Sequence, residues 1–277
     1  MALYILLITK ILLNRRRIKV FASAFFDLII TEFINDLIYW IFIQFGLRFP
    51  RYYILPFTSS AIGTMCYGMM LTFRGVLYLG HIPFALNRLI LYISPVMYRS
   101  MWTRKTVLLC FAIQWFIALS VNIPFFLTVG GATMKVMPTT MLMAGNTAAV
   151  QMNTIQALTI IPISTVICSI SFGISLKISA QVKSVSKLER RLLICSILQA
   201  IPMLLELGRS TTQFLLVSVL NNQAAYSSTA ETLYYYMDIT CTIQPWCLLA
   251  TNSNIRRLLF STKSQQIETV MESQFWR

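Results

Sequence analysis

The chain is poor in acid. Nine Asp and Glu stand against 23 Lys and Arg, and there is one His in 277 residues. Charged residues of both signs make up only 12%, where a globular domain carries about 25%. A soluble globular chain is excluded on that ground. His81, alone, builds no metal site with residues of its own kind. There is no Gly-x-Ser-x-Gly, no His-Glu-x-x-His and no phosphate loop. Asp27, Glu32 and Asp36 share one stretch without a neighbouring His or Cys, so an intramembrane protease or lipid enzyme has no reacting set. The expectation is therefore no enzyme, no metal and no cofactor. The six cysteines all lie in apolar stretches, none at metal spacing, and pack as small hydrophobes. No Asn-x-Ser/Thr sequon is present.

What the chain has is apolar length. Hydrophobic residues make up 57% and the mean hydropathy is +0.68. Long runs fall at 21–46, 57–86, 106–129, 154–176, 192–217 and 233–252, each long enough to span a bilayer as a helix. A first run, 1–13, is apolar but short, followed at once by Arg15, Arg16 and Arg17. It reads as the inner part of a first helix whose outer part is absent, not as a signal peptide. Residues 254–260 read as a short amphipathic surface helix, and 263–277 as a cytoplasmic tail. The division is then a membrane domain over 1–262 and that tail.

Eighteen of the 23 Lys and Arg fall in four clusters: Lys10 to Lys19, Arg88 to Lys105, Lys177 to Arg191, and Arg256 to Arg277. The clusters occupy alternate gaps between runs. Cationic loops stay on the cytoplasmic side. This predicts an outside N-terminus, an inside C-terminus and anionic lipid beside the basic loops. The +14 net charge is accounted for in that way and not by nucleic acid.

The third run closes at Asn87-Arg88-Leu89, with Pro95, Tyr98 and Trp102 beyond. An Arg at the inner mouth of a bundle can lock it through neighbouring groups or reach the backbone of an inserted partner helix. The order of these residues, the basic third inner loop, Gln244-Pro245-Trp246 and the opening Leu188-Glu189-Arg190-Arg191-Leu192-Leu193 resemble the nematode serpentine chemoreceptors, class gamma and class v group. The resemblance covers almost the whole chain. It implies an all-α membrane protein: a seven-transmembrane helix bundle of rhodopsin-like type, with a truncated first helix. It also implies a receptor in the plasma membrane of a sensory neuron, binding a small chemical and signalling to a heterotrimeric G protein. By position, Arg88 becomes the coupling arginine beside Asn87 and Tyr98, and Pro245 the switch proline of the seventh helix. Asn87 stands where rhodopsin-like receptors usually carry an acid, and the outer loop 130–153 has no Cys.

Intramembrane charge forms a second constellation. Such residues are costly and face the bundle interior. Counted at about 1.5 Å per residue from the inner ends, Asp36, Arg74, Glu206, Arg209 and Asp238 all fall in the outer half. Glu206 and Arg209 are i,i+3 neighbours and can pair. With Tyr235 they form the candidate ligand pocket; structural ion pairing is the alternative. Pro83, Pro124, Pro162, Pro202 and Pro245 lie inside runs and are candidate hinges. The rival function is a transporter or channel subunit. The absence of an internal repeat speaks against it, and so do a fourth and fifth run free of acids and bases.

Overall fold

The computed structural model describes residues 1–16, 19–52, 54, 60–127, 132–136, 141–145, 155–156, 158–181, 187–220, 232–252, 255–256 and 259. Among the described residues, seven longer helices carry the fold: α1 (Ala2–Asn14), α2 (Ala24–Ile43), α3 (Ser60–Ile93), α4 (Arg104–Phe126), α5 (Ile160–Gln181), α6 (Lys187–Ser218) and α7 (Leu233–Thr251). α3, α4, α5 and α6 are long and apolar enough to cross a membrane by length and composition. The α2 run carries Asp27, Glu32 and Asp36, which lowers its hydropathy although its 20 residues suffice in length.

α3 is the hub. It packs against α2, α4, α5 and α6, while α7 closes the ring by contacting α1, α2 and α6. Small residues permit this. In α5, Ser164, Cys168, Ser171, Ser175 and Ser179 fall on one buried face, which lets the α3 backbone come close. A methyl group at Gly68 of α3 would sit 2.5 Å from the Phe126 ring, so a larger residue there would have to displace that ring.

The fourth helix shows how little of a membrane helix faces protein. Its buried residues are Val107, Gln114, Ala118, Asn122 and Phe125, a single narrow stripe. Leu109, Phe116, Ile123 and their neighbours point outward, where an aqueous surface would penalise them and lipid does not.

Two helices run longer than the apolar runs suggest. α3 does not close at Asn87-Arg88 but continues to Ile93, because no breaker occurs before Pro95. Ser94 then leaves the helix, and its hydroxyl accepts the Met97 amide at 3.3 Å to start a short helix, Pro95–Met101. α6 begins at Lys187, so much of the expected basic loop is helix. Lys177, Lys187, Arg190 and Arg191 are exposed on these extensions of α5 and α6. With Arg99, Arg104 and Lys105 they define a basic end of the bundle.

At the opposite, far end, α2 continues through a π-helical turn, Gln44–Arg48, into Phe49–Arg51. The expected long loop there contains an antiparallel hairpin, β1 (Ala132–Val136) and β2 (Met141–Gly145), with Ala132 opposite Gly145 and Val136 opposite Met141. It packs on α3. Of the expected surface helix 254–260, only 255, 256 and 259 are described, as helical; the tail 263–277 lies outside the described residues.

Candidate functional site

The basic end is plugged. Phe25 and Leu28 of α2, Phe84 of α3, Val107 of α4, Leu192 and Cys195 of α6, and Cys247 and Leu248 of α7 belong to one buried apolar cluster. Tyr4, Leu7 and Ile11 of α1 join it, and Arg15 at the end of α1 forms an ion pair with Asp27. Arg88 lies in this plug, 2% exposed. Its guanidinium carbon is 3.9 Å from the centre of the Phe25 ring, a cation–π contact. Its Nε has no hydrogen-bond partner among the described residues. Asn87 is also buried; its amide nitrogen lies 3.5 Å from the Tyr98 hydroxyl, at the long limit of a hydrogen bond. Pro245 is buried within α7, while the neighbouring Trp246 is exposed.

Beyond the plug lie two stacked cavities. The first, a narrow and partly open cavity of about 30 Å³, is lined by Glu32, Asp36, Leu77, His81, Phe84, Gln199, Thr240, Ile243 and Gln244. The second, tighter still at about 10 Å³, is lined by Tyr39, Arg74, Leu77, Tyr78, Glu206, Tyr236, Met237 and Thr240. Leu77 and Thr240 belong to both. On each of α2, α3, α6 and α7, the residues of the second cavity sit nearer the far end than those of the first. The cavities therefore follow one another along the bundle axis.

The polar groups around them are tied into two networks. Glu206 accepts two hydrogen bonds from Arg209, Nε at 2.6 Å and Nη2, and a third from Ser210 at 3.1 Å. Arg74 approaches the same carboxylate at 3.7 Å. Its firmer bonds go to Gln156 Oε1, at 3.2 and 2.9 Å. Gln156 in turn donates to the Leu71 carbonyl at 2.9 Å and to Asn122 at 3.1 Å. In the second network, Asn35 donates to Glu32 at 3.3 Å and accepts from the Trp115 indole at 3.0 Å. Glu32 Oε1 and Gln244 Oε1 are buried without a partner.

Asp36, Arg74, Glu206 and Arg209 are thus brought together along one column, Arg209 through its bond to Glu206. Two expected pocket residues stand apart. Tyr235 is 72% exposed and lines neither cavity; Tyr236, a hundred degrees round the helix, lines the second. Asp238 pairs with Arg48 at the edge of the bundle. Gln156 and Asn122, which hold Arg74, went unnoticed in the sequence because amides carry no charge. For Asn122 the signal is a polar residue recurring on the one inward stripe of α4, as Gln114 and Asn122; Gln156, outside α4, has none. Among the described residues no cluster of His, Cys, Asp and Glu is suited to a metal ion.

Residues 1–264 match the family described as serpentine type 7TM GPCR chemoreceptor Srv. The chain belongs to that family, and so is a multi-pass membrane protein of a receptor kind. The match agrees with the resemblance read from Asn87-Arg88 and Gln244-Pro245-Trp246, and falls in class v. No curated protein matches the chain.

Proposed function

We propose that this member of the Srv chemoreceptors lies in the plasma membrane with its far end outside. It binds a small chemical in the two stacked cavities and signals to a heterotrimeric G protein at its basic end. The concentration of exposed Lys and Arg at one end supports the orientation. The observation that carries the reading is the pairing of a polar column in the far half with a sealed basic end.

α6 and α7 join these two regions. On α6, Glu206 lines the second cavity, Leu192 and Cys195 belong to the plug, and Pro202 lies between them. On α7, Thr240 lines both cavities, Leu248 belongs to the plug, and Pro245 lies between. A proline frees a carbonyl of the preceding turn and weakens the helix there. A ligand that draws the cavity walls together tilts both helices about these points. The plug opens, and Arg88 leaves Phe25 for the backbone of the G protein. Only differential affinity for the open state drives the change.

Arg88→Ala removes the cation that meets the partner. It is expected to leave surface expression near wild type and to reduce G-protein activation about tenfold or more, a change of about 1.4 kcal/mol or greater. The measurement is ligand-stimulated nucleotide exchange on the G protein beside surface labelling. Tracer or ion flux without any G protein would support the transporter reading instead.

A further inference from the structure

We propose that the ligand is a small zwitterion of the ω-amino acid type, with its ammonium in the first cavity and its carboxylate in the second. This rests on the reading of the bundle interior as a receptor's binding site.

The first cavity is short of positive charge: its donors are the neutral Gln199, Gln244, Thr240 and His81. Glu32 and Asp36 stand one turn apart on α2 and line it together, and no Lys or Arg is on its wall. His81 supplies at most one donor to a neighbour at a time in its neutral form. Asn35 occupies one oxygen of Glu32; the other has no partner, and neither does the side-chain oxygen of Gln244 across the cavity. Both residues are more than nine-tenths buried. Acceptors shut away from water need donors, and neighbouring carboxylates are relieved by a cation between them or by a shared proton. A primary ammonium supplies one positive charge and three N–H donors.

The second cavity has the opposite imbalance. Glu206 is committed to Arg209 through two hydrogen bonds and to Ser210 through a third. Arg74 faces the same space with only the neutral Gln156 at hydrogen-bond distance. Two guanidiniums against one carboxylate leave one positive charge on the wall. Asp238 does not offset it, being paired with Arg48 and outside the lining. A guanidinium takes a carboxylate through two parallel bonds.

The spacing selects the ligand's length. From Arg74 to His81 is seven residues of α3, a rise of about 10 Å, part of which is taken up by the contact at each end of a ligand. Leu77, between them, offers an aliphatic contact for a short methylene chain. An α-amino acid, with both charges on one carbon, reaches only one of the centres. A chain of three to five carbons reaches both.

The test is binding to the purified full chain in nanodiscs, read by thermal shift and by competition against labelled 4-aminobutanoate. The probes are 3-aminopropanoate, 4-aminobutanoate and 5-aminopentanoate, set against butylamine, butanoate and butanamide. At least one ω-amino acid is expected to bind about tenfold more tightly than all three controls, the worth of one charge-assisted pair. Arg74→Gln should abolish its advantage over butylamine, and Asp36→Asn its advantage over butanoate. Arg74→Lys, which keeps the charge, should retain part of the preference and serves if Arg74→Gln does not fold. Equal binding of a singly charged or neutral probe, no binding of any ω-amino acid, or equal weakening of every probe by both variants overturns the proposal. If another compound raises a G-protein signal while ω-amino acids do not bind, the zwitterion site falls and the receptor reading stands. If ω-amino acids bind and are carried across without a G protein, the receptor reading falls and the site stands.

Discussion

A methyl group at Gly80 would sit 2.5 Å from Glu32 Oε1 and 2.6 Å from the carboxyl carbon. Glycine here is a matter of room, since the carboxylate lies flat against the α3 backbone. Gly80→Ala is expected to destabilise the protein by about 1–3 kcal/mol through overpacking. Gly208 in α6 provides the comparison, because nothing lies within 4 Å of its added methyl. There alanine should be neutral or stabilising by about 0.5–1 kcal/mol through helix propensity. Thermal unfolding in detergent decides; equal effects at the two sites would show that Glu32 does not press on Gly80. At this scale the Glu206–Arg209 pair was legible from its i,i+3 spacing. Tyr235 faces away from both cavities because of its helical phase. Thr240 and Gln244, stepping back by fours from the polar interior of α7, arrive at Tyr236.

Among the elements, α4 gives the sharpest contrast between its two sides. Ala118 faces Gly75 of α3, with its Cβ 3.4 Å from where a methyl on that glycine would lie. Phe116, two places away, is exposed. Ala118→Leu should cost about 1–3 kcal/mol by wedging α4 from α3, while Phe116→Leu should leave unfolding unchanged. The readout is the folded fraction recovered by size-exclusion chromatography after mild heating. Helix positions were legible because apolar length alone sets them. Ends were less so: Lys187 to Arg191 read as loop, yet charged residues are good helix formers and merely carry α6 beyond the apolar stretch. The hairpin of 132–136 with 141–145 left no such trace, because two five-residue strands in a polar loop lack a long periodic pattern.

For the molecule as a whole, alternating basic clusters carry the proposed orientation. An epitope tag at the N-terminus is expected to be labelled on intact cells, and one at the C-terminus only after permeabilisation. The reverse pattern would move the cavities to the cytoplasmic side and remove the basis for an external ligand. Bundle topology was readable because burial in lipid obliges each crossing to be helical and each basic loop to stay on one side. The site was readable only in part, because charge marks the interior but not which interior residues meet.

The contact of Arg88 with Phe25 carries one last consequence. Arg88 makes no ion pair among the described residues, and its nearest stabilising neighbour is an aromatic ring. A ring takes up no proton in the physiological range and sheds no counter-ion, and a buried contact is little screened by salt. Under the proposed function, the resting tone of the receptor then depends on how well hydrocarbon packs around this cation. On that proposal, thinning the aromatic layer at Phe25 should raise the background signal.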